Sequence, residues 1–402
     1  MQSLKELYKV GRGPSSSHTL APERACRLFV QKFGTMAYYE ADLYGSLSLT
    51  GKGHNTDRII QETLPGKTKV SFHLDWKESF PNGFYLRGYN ENHEKQAEWT
   101  VFSLGGGSIE IKEEQLPYNR EIYPQKNYRE VRQTLESRQI SLPQFEYAME
   151  PDLKPYLGTV LDAMLACVRN GLNQEGTLPG KLNLKRSARQ LYQESEEAPA
   201  EEKRRLRLIA YAYAACEENA SGHTCVTAPT LGACGVLASL MAYYAWDLKR
   251  SRDDLEDALA AGGLFGNLIK QNATISGAVG GCQAEVGAAV SMASAASAWL
   301  NHLNIDQVEY AAEIGMEHNL GLTCDPVEGY VMIPCIERNA MGITRAEDAA
   351  LLAQYMSRIK HHLVSFDTVV STMKDTGSQI PIALKETSIG GLAKEFEYDE
   401  RK

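Results

Sequence analysis

Apolar residues alternate strictly along 69–76, where Val70, Phe72, Leu74 and Trp76 fall on one side of an extended chain, so this stretch predicts a half-buried strand. TVFSL (100–104) and SIEIK (108–112) predict a strand pair joined by the glycine turn GGG at 105–107. Upstream, Ala25, Leu28, Phe29 and Phe33 recur at helical spacing, with Pro22 suited to the first turn and Gly34 to the end. From about Leu157 the period changes. The stretches 161–170, 206–217, 236–246, 254–269, 284–300 and 307–319 predict helices, and strand alternation is confined to 225–228. The charged run 193–205 predicts a solvated surface helix or a linker. Alanine, glycine and serine dominate 271–299, which suits closely packed helices.

These patterns predict an α+β N-terminal domain, an antiparallel sheet with helices, over 1–152. An all-α domain follows over 156–402, the break falling at Pro151 and Pro155. No internal repeat is visible. The chain has 402 residues and is 43% hydrophobic, enough for a substantial core. A net charge of −9 argues against nucleic acid as a partner. The start, MQSLKELYKV, lacks the apolar segment and cleavage site of a secretory signal. No stretch approaches the ~20 strongly apolar residues of a membrane helix. The expectation is a soluble cytoplasmic protein that binds no membrane.

In that compartment the eight cysteines are not expected to be disulfides. Cys282, Cys324 and Cys335 each lie near glycine or proline and near polar residues, which suggests turns. Their spacing is not the C-x-x-C of a structural zinc site. Three thiolates could hold an iron–sulfur cluster with one iron left open; the alternative is three unrelated core cysteines. Cys26, Cys167 and Cys216 sit on helical stretches and read as inert core thiols, while Cys225 and Cys234, flanking TAPTLG, are left open. GRGPSSSHT (11–19) packs three serines, a histidine and a threonine ahead of a helix. A serine nucleophile is disfavoured, because no G-x-S-x-G elbow occurs. A carboxylate-binding loop, built from hydroxyls and the first N–H groups of the helix, competes with a plain polar cap. GGG at 105–107 lacks the lysine and helix of a phosphate loop.

GPSSSHT, YGSLSLTGKGH (44–54), GGGSI, NQEGTLPG (173–180), TAPTLG (227–232), SGAVGGCQAEVG (276–287), MEHNLGLTCDP (316–326), PCIERNAMG (334–342) and ETSIGGLA (386–393) resemble the iron–sulfur L-serine dehydratases, or L-serine ammonia-lyases. The matches span nearly the whole chain. The resemblance implies an N-terminal α+β domain, related to the substrate-binding domain of some phosphoglycerate dehydrogenases, and a helical catalytic domain. It implies an oxygen-sensitive [4Fe–4S] cluster on Cys282, Cys324 and Cys335, and conversion of L-serine to pyruvate and ammonia without pyridoxal phosphate. A homodimer is the family-like expectation.

By the family pattern His54 is the base that takes the Cα proton, with His18 its main rival. Ser15, Ser16, Ser17 and Thr19 would hold the substrate carboxylate. Asn272, Ser276, Arg338 and Asn339 are candidate helpers, and His318, six residues before Cys324, a candidate contact near the cluster. Asp325 is expected to orient the surroundings of the cluster rather than ligate iron. His73, His93, His302, His361 and His362 read as ordinary surface, and His223 is ambiguous. Leu231 stands where many relatives carry a polar residue, and Val279-Gly280 replaces a Glu-Val pair. Some relatives end in a cysteine that reaches the open iron; the end EFEYDERK predicts no such self-blocked state. Three rival readings stay open: β-elimination on L-threonine or L-cysteine, a non-enzymatic iron–sulfur sensor, and dehydration by pyridoxal phosphate on a lysine.

Overall fold

The computed structural model describes residues 1–117 and 120–397. The first part runs β1 (Val10–Arg12), α1 (Ala21–Phe33), β2 (Tyr38–Gly45), α2 (Ser46–Leu49), α3 (Thr56–Thr63), β3 (Lys67–Phe72), β4 (Asn82–Tyr89), β5 (Lys95–Gly105) and β6 (Ser108–Ile111). The predicted first helix is α1. Pro22 lies in its first turn, and Gly34, at φ +79°, ends it by donating its N–H to Val30. α1 lays Ala25, Cys26 and Phe29 on a five-stranded sheet of order β3-β2-β4-β5-β6. The pairs β2–β4, β4–β5 and β5–β6 are antiparallel. β2 and β3 are parallel, the crossover between them being made by α2 and α3.

The alternation over 69–76 overruns its strand. The last rung with β2 is Leu43 to Phe72, because β2 turns into α2 two residues later. Leu74 is therefore 80% exposed, and Trp76 leaves the ladder to donate its indole N–H to the Phe80 carbonyl.

Helices follow: α4 (Tyr128–Arg138), α5 (Leu142–Met149), α6 (Leu153–Leu172), α7 (Ala188–Glu197) and α8 (Ala200–Ala220). A short strand β7 (Thr224–Val226) precedes α9 (Cys234–Trp246), α10 (Arg252–Asn272), α11 (Gly277–Gly280), α12 (Ala288–Leu300) and α13 (Ile305–Glu317). α14 (Cys335–Met356), α15 (Phe366–Gln379) and α16 (Leu392–Glu395) complete the described chain. The run 193–205 is two helices, parted at Ala198 and Pro199. Small residues in the centre do what their size allows. A Cβ on Gly262 would come 2.7 Å from the Met292 carbonyl, and one on Gly315 2.5 Å from Ser294 Oγ, so α10, α12 and α13 touch almost backbone to backbone.

Three apolar clusters result among the described residues. One lies between the sheet and α1; the largest fills the helical unit and takes in buried residues of α4 and α5; a small third gathers Leu178, Leu182, Val327, Met332 and Ile336. Met1, Leu4, Leu7 and Tyr8 also belong to the helical core. β1 then pairs antiparallel with β7, Gly11 facing Cys225. The chain therefore starts inside the helical unit, and the segment 13–20 crosses from it to the sheet. Among the described residues no helix is long and apolar enough to cross a membrane.

Candidate active site

The crossing segment begins with Ser15 and turns through a π-helical turn, Ser16–Leu20, straight into α1. Ser15, Ser16, Ser17, His18 and Thr19 are all buried. Thr19 closes the turn on itself, its hydroxyl donating to the carbonyls of Ser15 and Arg12. Ser16 Oγ accepts the Leu231 N–H at 3.4 Å, so the 227–232 segment meets this loop through backbone, and the apolar Leu231 side chain is no obstacle there.

His18 and His54 lie side by side, ring centroids 4.2 Å apart. Their nitrogens are differently employed. His18 Nε2 faces Thr50 Oγ1 at 2.9 Å and Ser46 Oγ at 3.3 Å. Both hydroxyls spend their proton elsewhere, Thr50 on the Ser46 carbonyl and Ser46 on the Glu386 carbonyl. Nε2 of His18 therefore donates, and Nδ1 accepts from Ser17 at 2.8 Å or Ser15 at 3.3 Å. His54 Nδ1 lies 2.9 Å from the Thr50 carbonyl, which can only accept, so Nδ1 carries the proton and Nε2 keeps a free lone pair. Burial pushes both imidazoles down, His18 to about 4 and His54 to about 3. The His18 ring adds to the fall at His54, and Glu386 opposes it. Both are neutral near pH 7.

Glu386 closes this group. Its Oε1 accepts from Ser17 Oγ at 3.2 Å and lies 3.6 Å from His18 Nδ1, while its backbone N–H donates to the Cys324 carbonyl at 2.6 Å. That last bond links the histidines to the thiols. Cys282 lies just before a π-helical turn, Gln283–Gly287; Cys324 bridges to Lys385; Cys335 opens α14. Cys335 is thus a helix start rather than a turn: Pro334 precedes it as a cap. The Cys324 thiol favours the Cys282 thiolate, as does the Arg338 guanidinium facing it, bringing that thiol down to about 6. Cys324 is held up by its bond to Cys282 and by burial, and Cys335 by burial and the Cys282 charge. Cys324 Sγ stands 3.6 Å from Glu285 Oε2, and a Cβ on Gly277 would meet that oxygen at 2.7 Å and Glu386 Oε2 at 3.4 Å. Ser276 is buried, its hydroxyl without a hydrogen bond. The glycine hairpin presses on it, a Cβ at Gly105 (φ +95°) falling 2.9 Å from Ser276 Cα.

The remaining expected residues divide. Arg338 faces Cys282, donates to the Thr323 carbonyl and lies 3.6 Å from Asp325. Asp325 does orient the surroundings: it accepts from Thr323 Oγ1 and from the Leu392 N–H, pinning the 386–393 segment. Asn339 is buried, but its amide is used up bracing Gly232, Gly235 and Cys335 backbone. Asn272 is not brought to the site; its amide is tied to the Lys126 and Leu268 carbonyls. His318 is exposed and turns its Nδ1 to the Ile314 carbonyl at the end of its own helix. Residues 398–402, on which the expectation about the chain's end bears, lie outside the described residues. Glu386, Glu285, Ser46 and Thr50 escaped the sequence reading although each lies in a quoted motif.

The family described as serine dehydratase beta chain matches residues 3–76, and that described as serine dehydratase alpha chain matches residues 88–393. The chain is 37% identical to L-serine dehydratase 1 of Escherichia coli, over 99% of this chain and 100% of that protein. It is 35% identical to an L-serine dehydratase of Haemophilus influenzae, over 98% and 99%. A Streptomyces coelicolor L-serine dehydratase is 36% identical, over 97% and 98%.

Proposed function

The chain belongs to the serine dehydratase family, both chain types joined in one polypeptide, and from that premise we propose that it is an L-serine ammonia-lyase releasing pyruvate and ammonia. What carries the proposal is the meeting of two groups in one buried place: a histidine pair with one free imidazole nitrogen, and three thiols from three segments.

The thiols suit the [4Fe–4S] cluster that the family implies. They are three soft donors, short of the four that would close every iron, and Arg338 already favours one as thiolate. Cys282, Cys324 and Cys335 would hold the cluster, which when bound supplies Lewis acidity toward the leaving hydroxyl. The protein does the rest. The hydroxyls of Ser15 and Ser17, at the head of α1, would turn from His18 and Glu386 to the substrate carboxylate, and buried Ser276 keeps an unspent hydroxyl. His54 Nε2 takes the Cα proton, its other nitrogen fixed on Thr50. His18, engaged at both nitrogens, holds the ring beside it in place. Burial keeps water from competing. A cleft of about 410 Å³, lined by Ser46, Ala278, Lys385 and Thr387, offers a way in between the two units.

The proposal includes a cytoplasmic homodimer; the exposed apolar Leu351, Tyr355, Ile359 and Leu363 support self-association. Anaerobic purification with iron and sulfide counts, followed by pyruvate release from L-serine, tests the whole. Equal iron and sulfide with L-serine preferred over L-threonine and L-cysteine is the expected result. A protein that carries the cluster yet turns over none of the three would be a sensor, and the proposal would fall.

A further inference from the structure

A zwitterionic amino acid brings an ammonium as well as a carboxylate, and the serine loop answers only the second. The geometry points to Glu386 as the residue that binds the substrate ammonium and so restricts the site to α-amino acids. This rests on the serine dehydratase reading above.

Glu386 is 4% exposed, and its Oε2 has no hydrogen-bond partner among the described residues. A carboxylate buried in that state is costly unless a cation joins it. Among the described residues its one ionic neighbour within 4 Å is His18, which is neutral near pH 7. Arg338, the guanidinium of the site, is committed to Cys282, Asp325 and the Thr323 carbonyl. A second buried carboxyl, Glu285, lies across Gly277, and among the described residues neither acid has a lysine or arginine within 4 Å. Space for a cation exists. Donor atoms of His18, His54 and Glu386 lie within 4.8 Å of one another, a gap that suits a small cation. A metal ion held by this trio would take the lone pair of His54 that proton removal requires, whereas an ammonium can hydrogen-bond to Glu386 Oε2 and leave that lone pair free. Ser17 fixes the pose, since its hydroxyl belongs to the carboxylate loop and also touches Glu386 Oε1. With carboxylate on the loop and ammonium on Glu386, the Cα hydrogen can be turned to His54.

Glu386 could instead act only by steadying the imidazolium of His54, which would lower kcat and leave KM alone. The test separates the two. Binding of L-serine and of 3-hydroxypropionate, the same acid without its ammonium, is measured by calorimetry on anaerobic holoenzyme. The background is His54→Ala, so that no turnover intervenes. Adding Glu386→Gln is expected to weaken L-serine about 10- to 100-fold, the range for a hydrogen bond to a charged group, and to leave 3-hydroxypropionate within about twofold. Glu386→Asp, which keeps the charge, loses less than Gln. Equal losses for both ligands, or for neither, overturn the assignment, as does a kcat defect at unchanged KM when His54 is intact. Should neither variant fold, the protein with Glu386 intact still decides: L-serine is expected to bind at least about 10-fold more tightly than 3-hydroxypropionate, and equal affinities overturn the assignment. If the protein with His54 and Glu386 both intact neither binds nor consumes L-serine, the dehydratase reading falls and takes this assignment with it. If that protein consumes L-serine and Glu386→Gln leaves L-serine binding unchanged in the His54→Ala background, only the role of Glu386 falls.

Discussion

The helical unit contains two groups of thiols, and their surroundings differ. Cys282, Cys324 and Cys335 stand among charged groups: Arg338, Glu285 and Glu386. Cys167, Cys216, Cys225 and Cys234 stand among themselves. Cys167 and Cys225 are 3.3 Å apart, and Cys234 shares hydrogen bonds with Cys216 and Cys225. Three of these four lean on a single carbonyl, that of Ala215, at 3.7 to 3.9 Å. Close sulfurs alone therefore do not mark a ligand set. Charged neighbours do, and only the first group has them.

The sharpest way to break this comparison is to exchange the fates of the two groups. Cys324→Ser is expected to lose iron and at least about a thousandfold of activity, because a three-thiolate set has no spare ligand. Cys225→Ala is expected to keep full iron content, hold turnover within about twofold and lose about 1 kcal/mol of stability as a small core truncation. Metal analysis, assays and denaturant melts on the two purified variants decide. Iron loss from the Cys225 variant would make the second group a working part of the site.

His54→Ala is the next largest effect, and it separates chemistry from cluster. Iron content should stay, while kcat drops about 10²- to 10⁴-fold, the usual worth of a general base. The pH profile sharpens this. With its folded pKa pushed down to about 3, His54 stays unprotonated through the ordinary imidazole range. Activity of the native enzyme should thus show no acid limb near pH 6.5 from this group. Near-normal turnover in the alanine variant would return the base role to His18.

Much of this region was legible in the sequence because its signals are local. Gly34 had to end α1, GGG had to turn, and hydroxyls before a helix had to cap or cradle. Glu386 was not legible. Its partners Ser17 and His18 lie more than 360 residues away, and a glutamate in ETSIGGLA looks like any surface acid until the fold buries it. Asn272 and His318 failed the other way. Each sits near a motif in sequence, yet the helix that carries it turns the side chain onto nearby backbone. Trp76 shows the same limit in the sheet: alternation reports what a strand could be, while the partner strand decides where it stops.

The smallest expected effect tests whether an unpartnered buried carboxyl is enough to make a site. Glu146 in α5 is buried with neither oxygen hydrogen-bonded, as Glu386 is at one. Yet its charged neighbours are Glu150 and Asp257, and the rest of its surroundings is apolar core. Burial, then those two acids, raise its folded pKa well above the ordinary carboxyl value, so the native state keeps a proton that the unfolded state releases as pH rises past about 4.5. Stability consequently falls with rising pH through this window, by up to about 1.4 kcal/mol per unit for this one group. Glu146→Gln cannot titrate and escapes that fall. Thermal melts from pH 4 to 8 should show the variant and the native protein converging at the acid end, with the variant increasingly the more stable above pH 5. Turnover should not change. A stability difference independent of pH would mean that Glu146 is ionised in the folded protein, and the line drawn between it and Glu386 would then have to rest on their neighbours alone.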